Sequence, residues 1–188
     1  MTNFKKKDES RNCRINPKIT EEDIVEYVLE RFEDLKRNFS MEDLIKFHSC
    51  NKYLLMSHNY EKLKILGNIV ANHKKEKIDD ILLNYEKILK LILNKKPTVK
   101  THTNVLLHIF GFFKTYFSKE QKRKVLNHIE KYRENKIPLG TILCLMEPET
   151  YKINSTYLVS QTYFLLYAES TRSNHNNLPI NLFTSIKE

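Results

Sequence analysis

Four histidines, a lysine and an asparagine are the side chains of this sequence with types and spacing that suit chemistry. His48 and Lys52 stand four residues apart and share one helical face, a pairing that suits contact with an anion. His58, His102, Asn104 and His108 are the remaining members of a candidate pocket. Imidazole can ligate a metal or move a proton near neutral pH. The spacing argues against a metal site, because His102 and His108 lie six residues apart, about 240° around a helix, with no nearby carboxylate to complete a ligand set. Cys13, Cys50 and Cys144 are scattered, odd in number and without a Cys-x-x-Cys pair, so neither a disulfide framework nor a thiolate cluster is expected. No metal and no cofactor is implied. No assembled nucleophile or phosphate loop is present either, so catalysis by the chain alone is not expected.

Charge is the second signal. The net charge is +9, and residues 61–138 alone carry eighteen Lys and Arg against eight Asp and Glu. The densest part comprises Lys114, Lys119, Lys122, Arg123, Lys124 and Arg133, and such a surface attracts phosphates. Together with His48 and Lys52, these are the expected nucleic-acid contacts. Solvated lysine faces are the plain alternative.

The elements that must position these residues are helices. Only three Gly and five Pro punctuate 188 residues, and 40% of the chain is apolar, which disfavours both disorder and an all-β sandwich. Thr20 with Asp23, Ser40 with Asp43, and Ser118 with Gln121 mark helix starts, and Thr98 is a further N-cap. Apolar periodicity gives helices at 20–37, from 40 to a stop near His58 and Asn59, at 60–73, at 77–94, from Thr98 through Phe113, from Ser118 to about Glu134, from Pro138 to Leu145, and from Asn154 to Tyr163. The expected fold is therefore all-α, one compact bundle of seven or eight helices over 19–168. A mobile basic arm at 1–18 and a loose tail at 169–188 flank it. No apolar run approaches the length of a membrane span and the N-terminus lacks a signal-peptide pattern, so a cytoplasmic location is expected.

Within the stretch from Pro97 to Lys114, Asn104, His108, Gly111 and Thr115 form a polar stripe beside an apolar one. Gly111 is expected to permit a close helix crossing and Asn104 to bridge a buried polar group. Phe110, Phe112, Phe113, Tyr116 and Phe117 read mostly as core, with one exposed ring available to stack a base.

The blocks KFHS..KYLLM.H, LG..VA, PT...H.NVL.HI.GFFK, EKYRENKIPL and YL..Q.Y occur in order between about residues 24 and 165. In that pattern the chain resembles the YbgA-like family, domain of unknown function 1722. The resemblance implies a tRNA-binding role, since the domain also occurs fused to a thiouracil desulfidase that acts on 4-thiouridine. That partner uses a cysteine-bound iron-sulfur cluster, which the three cysteines here cannot supply, so a separate desulfidase is the implied partner. The sequence departs from the family after Leu139 and after the final tyrosine of the last block. Two other functions stay open: an enzyme acting on a nucleotide or modified base through the His, Lys and Asn residues, and an adaptor that holds a desulfidase.

Overall fold

The computed structural model describes residues 19–72 and 75–172, and the expected arm at 1–18 and most of the expected tail lie outside them. Helices are the only regular secondary structure among the described residues. In chain order they form α1 (Glu21–Arg37), α2 (Met41–Ala71), α3 (Ile78–Leu93), α4 (Val99–Phe113), α5 (Lys119–Arg133), α6 (Leu139–Lys152), α7 (Thr156–Val159) and α8 (Thr162–Arg172). None of these helices is long and apolar enough to cross a membrane.

The helix starts follow from side-chain capping of backbone N–H groups that have no partner in the first turn. Thr20 accepts from the Asp23 N–H while Asp23 accepts from the Thr20 N–H, and Thr98 with Thr101 and Ser118 with Gln121 make the same reciprocal pair. Ser40 accepts from the Asp43 N–H.

The helix α2 is continuous in name only. Asn59 leaves helical geometry (φ −158°, ψ 99°), and its Oδ1 accepts from the Lys62 N–H at 3.1 Å, so it caps a new helix. A Cβ placed on Gly67 would lie 3.9 Å from Nε2 of His48, whereas a straight helix would hold the two residues about 28 Å apart. The two halves of α2 therefore fold back side by side as a hairpin with its corner at Asn59, the position at which the sequence pattern stops.

Around this hairpin pack α3, α4 and α8. The core includes the aromatic set Phe32, Phe47 and Tyr85, with Phe32 and Tyr85 stacked at 5.6 Å. Gln161, 1% exposed, fastens the C-terminal segment to α2. Its Nε2 donates to the Ser49 carbonyl at 2.8 Å and its Oε1 accepts from the Tyr53 N–H at 3.3 Å, so one side-chain amide serves the acceptor and donor of a single helical turn.

Two expectations about the last third need correction. The helix from Pro138 does not end at Leu145: α6 runs on to Lys152 with Pro148 inside it. The carbonyl that Pro148 fails to pair belongs to Cys144, which is exposed along with Pro148, so solvent can take that acceptor. The stretch from Asn154 to Tyr163 is two pieces rather than one, because the short α7 stops at Ser160 and α8 starts after the buried Gln161.

Candidate nucleic-acid interface

At the corner between α4 and α5 the chain places five cations with little counter-charge. Lys114, Lys119, Lys122, Arg123 and Lys124 form no ion pair with any described residue, and all but the half-buried Lys122 are exposed. Elsewhere many cations are spoken for: Arg133 binds Glu130 at 2.7 Å, Lys136 binds Glu134 at 2.7 Å and Lys96 binds Glu22 at 2.6 Å. Arg133 was expected among the free phosphate contacts; its carboxylate partner occupies the guanidinium, so it is the weakest member of that set.

Local folding explains why the corner faces out. Phe113 and Phe117 are both buried and stack with centroids 4.9 Å apart and planes 3° from parallel. Those two anchors pin the turn between α4 and α5. Tyr116, between them in sequence, is left 66% exposed, with its N–H donated to the Phe113 carbonyl at 3.0 Å. Phe112, 43% exposed, stacks on Tyr157 at 5.5 Å. Of the aromatic stripe, Tyr116 is the ring best placed to accept a stacked base.

The histidines separate into three environments. His48 is half-buried at the contact of α2 with α3, and its Nδ1 lies 3.2 Å from the Tyr85 hydroxyl. Burial, with a further push from the nearby Lys52 charge, lowers its pKa to about 4, so at neutral pH it is an uncharged ring and not an anion ligand by charge. Lys52 remains exposed on the same face. His108 is exposed, with its ring 5.8 Å from that of Tyr60. Asn104 is half-buried and makes no side-chain hydrogen bond with a described residue, so the bridging role expected of it is not seen.

His58 and His102 do come together, around Glu21. Nδ1 of His58 donates to the Lys95 carbonyl at 2.8 Å, since a carbonyl can only accept. Nε2 of the same ring lies 3.1 Å from Oε1 of Glu21, close enough for a charge contact but out of line for a well-formed hydrogen bond. The Tyr167 hydroxyl donates to that Oε1 at 2.8 Å. Burial pushes the Glu21 carboxyl up, but the adjacent His58 ring and the hydrogen bond from Tyr167 together outweigh it, and the net pKa is lowered. His102 sits edge-on to Tyr167 at 4.9 Å with Nδ1 2.8 Å from the Tyr163 hydroxyl. Burial takes its pKa to about 4 despite the opposing Glu21 charge.

This network joins the first turn of α1, the corner of α2, the loop before α4, and α8. Glu21 also borders a shallow groove of about 540 Å³ between α1 and the end of α3. An acid or base must reach its substrate, and the His58 ring has no exposed surface. The pair is a frame that holds elements together. Among the described residues no three of His, Cys, Asp and Glu gather to hold a metal.

Sequence reasoning missed Glu21 and the Lys95 carbonyl as partners of His58, and Tyr167 as the partner of Glu21. Glu21 reads as a first-turn acid matched to the helix dipole, and nothing in one sequence signals a second partner thirty-seven residues away.

The family profile described as "Protein of unknown function (DUF1722)" matches residues 52–168, more than half of the chain. The chain belongs to this family. A similar curated protein is "Uncharacterized protein YbgA" of Escherichia coli (strain K12), 25% identical over 166 residues that cover 80% of this chain and 98% of that protein. The YbgA-like resemblance read from the motifs is therefore established. No solved structure matches the chain. The family span takes in the α4–α5 corner, His58 and His102, while Glu21 and His48 precede it.

Proposed function

We propose that this chain is an RNA-binding domain, directed at tRNA, that serves thiolated-nucleoside (4-thiouridine) metabolism together with a separate desulfidase. One observation carries the reading: five unpaired cations and the exposed ring of Tyr116 share the α4–α5 corner. Unpaired Lys and Arg gain from phosphates what paired ones have already gained from carboxylates, and an exposed tyrosine offers a face to an unstacked base. The excess of positive charge over 61–138 supports it at longer range by steering a polyanion toward this part of the fold. The tRNA and the desulfidase come from the family resemblance, and the cytoplasm is the compartment in which this partnership would operate. An enzyme working through His48, Lys52, His58, His102, Asn104 and His108 draws no support from where those side chains lie, since two are sealed inside and His108 is on the surface.

The test is binding of unfractionated tRNA, followed by fluorescence anisotropy, with the native chain and with Lys119→Ala/Lys122→Ala/Arg123→Ala/Lys124→Ala. The side chains removed are in no ion pair among the described residues, so the variant keeps its melting temperature while affinity drops by about tenfold or more. Equal affinity of the two proteins would refute the assignment of this corner.

A further inference from the structure

We propose that the outer face of α4 is part of the same RNA contact, and that Gly111 is the point at which an RNA backbone approaches this helix most closely. The inference rests on the RNA-binding reading and extends it to a face not assigned to any ligand above.

Gly111 lies within the last turns of α4, and its φ is not positive, so the backbone there suits any residue. A helix-interior glycine costs stability relative to alanine. Close packing was the expected reason for it, and the structure overturns that expectation: a Cβ added at Gly111 meets nothing within 4 Å. The other glycine of a helix interior described above, Gly67, has the His48 ring beside it, whereas Gly111 has open space. With neither backbone conformation nor internal packing demanding a bare Cα, close approach from outside the fold is the physical use left for it.

The surroundings select the occupant. Helical spacing puts Lys100, Asn104, Leu107, His108 and Lys114 on the face of Gly111. No acid occurs anywhere in α4, and neither Lys100 nor Lys114 pairs with a described carboxylate. The two lysines lie about 21 Å apart along the axis with Gly111 between them. Tyr60, 38% exposed, borders the stripe through its contact with His108. At its C-terminal end the face runs into Tyr116 and the cations of α5. A track with positive ends, no acid on the helix itself and a bare step fits a polyanionic backbone laid along it, with Glu61 beside Tyr60 and Glu120 in the first turn of α5 as the acids at its margins.

Gly111→Ala and Gly111→Leu test this directly with unfractionated tRNA, because neither meets a neighbour in the free protein. Both variants should melt at or above the native temperature. Affinity should fall in steps, about threefold for Ala and about tenfold or more for Leu. If the native chain binds tRNA and the Leu variant binds equally well or better, the close approach at Gly111 is wrong while the α5 assignment stands. If the native chain itself does not bind tRNA at low salt, the RNA-binding reading fails and this inference with it. A Leu variant that keeps its tRNA affinity but loses a protein partner would likewise overturn it in favour of a protein contact.

Discussion

Replacing Glu21 in two ways separates its charge from its hydrogen bonding. In the native chain Oε1 accepts from the Tyr167 hydroxyl at 2.8 Å and lies 3.1 Å from Nε2 of His58, a ring with no exposed surface. Glu21→Leu leaves that buried nitrogen with no polar neighbour to answer it and takes away the charged acceptor that Tyr167 uses. An unsatisfied buried group costs about 1–3 kcal/mol and a lost bond to a charged acceptor a similar amount. The two are coupled through one carboxylate, so the sum is about 3 kcal/mol rather than the maximum. Glu21→Gln keeps the shape. Its carbonyl can still accept from Tyr167 and lie beside Nε2 of His58, so only the charge attraction is lost, about 1 kcal/mol. Urea melts at pH 7 read both numbers, and in a domain of this size about 3 kcal/mol corresponds to a melting temperature lower by roughly 6–12 °C. The pH dependence adds a second check. Because the folded pKa of Glu21 is lowered, its contribution is complete above the ordinary value of 4.5 and is lost as pH falls through the folded value. The gap between the native chain and Glu21→Gln should therefore close in acid. Equal destabilisation by Gln and Leu at pH 7, or a gap unchanged down to pH 3, would refute the frame described for α1.

The remaining predictions concern the other histidines and Gly67. His48 and His102 are each held near a pKa of about 4, against 6.5 for the free group. A depressed histidine contributes stability that is fully present above 6.5 and is lost as pH falls toward 4, about 3 kcal/mol each. Urea titrations should show stability dropping across that window, with His102→Gln removing about half of the drop; a flat profile would contradict the burial assigned to both rings. Gly67→Ala should fold and gain up to about 1 kcal/mol, since the added Cβ meets Nε2 of His48 at 3.9 Å, an ordinary contact. Destabilisation by that change would show that the halves of α2 pack more tightly than described.

Much of the fold was legible because it is locally encoded. Thr20, Ser40, Thr98 and Ser118 start helices through bonds to residues three positions on, and the break at Asn59 is visible where the apolar period stops. The end of α6 was misjudged because Pro148 is tolerated only through the exposure of Cys144, a three-dimensional fact. The division between α7 and α8 depends on Gln161 being drawn to Ser49 and Tyr53 across more than a hundred residues. For the candidate site, the basic run was plain in the sequence, but which cations are free was not: Glu130 pairs with Arg133 three residues on, whereas Glu120 pairs with neither Arg123 nor Lys124 at the same kind of spacing. Gly111 was misread for the same reason. A glycine within an apolar helix looks the same in sequence whether its bare side meets a neighbouring helix or open space.

The central claim is that the α4–α5 corner binds RNA through unpaired cations, and the salt dependence of tRNA binding tests it most directly. Each phosphate contact adds about 0.7–0.9 to the steepness of log affinity against log salt. Comparing the native chain with Lys119→Ala/Lys122→Ala/Arg123→Ala/Lys124→Ala isolates this corner from every other basic segment. The account predicts saturable binding by the native chain and a slope shallower by about 3 in the variant. Absence of saturable binding at low salt, or the same slope in both proteins, would contradict it.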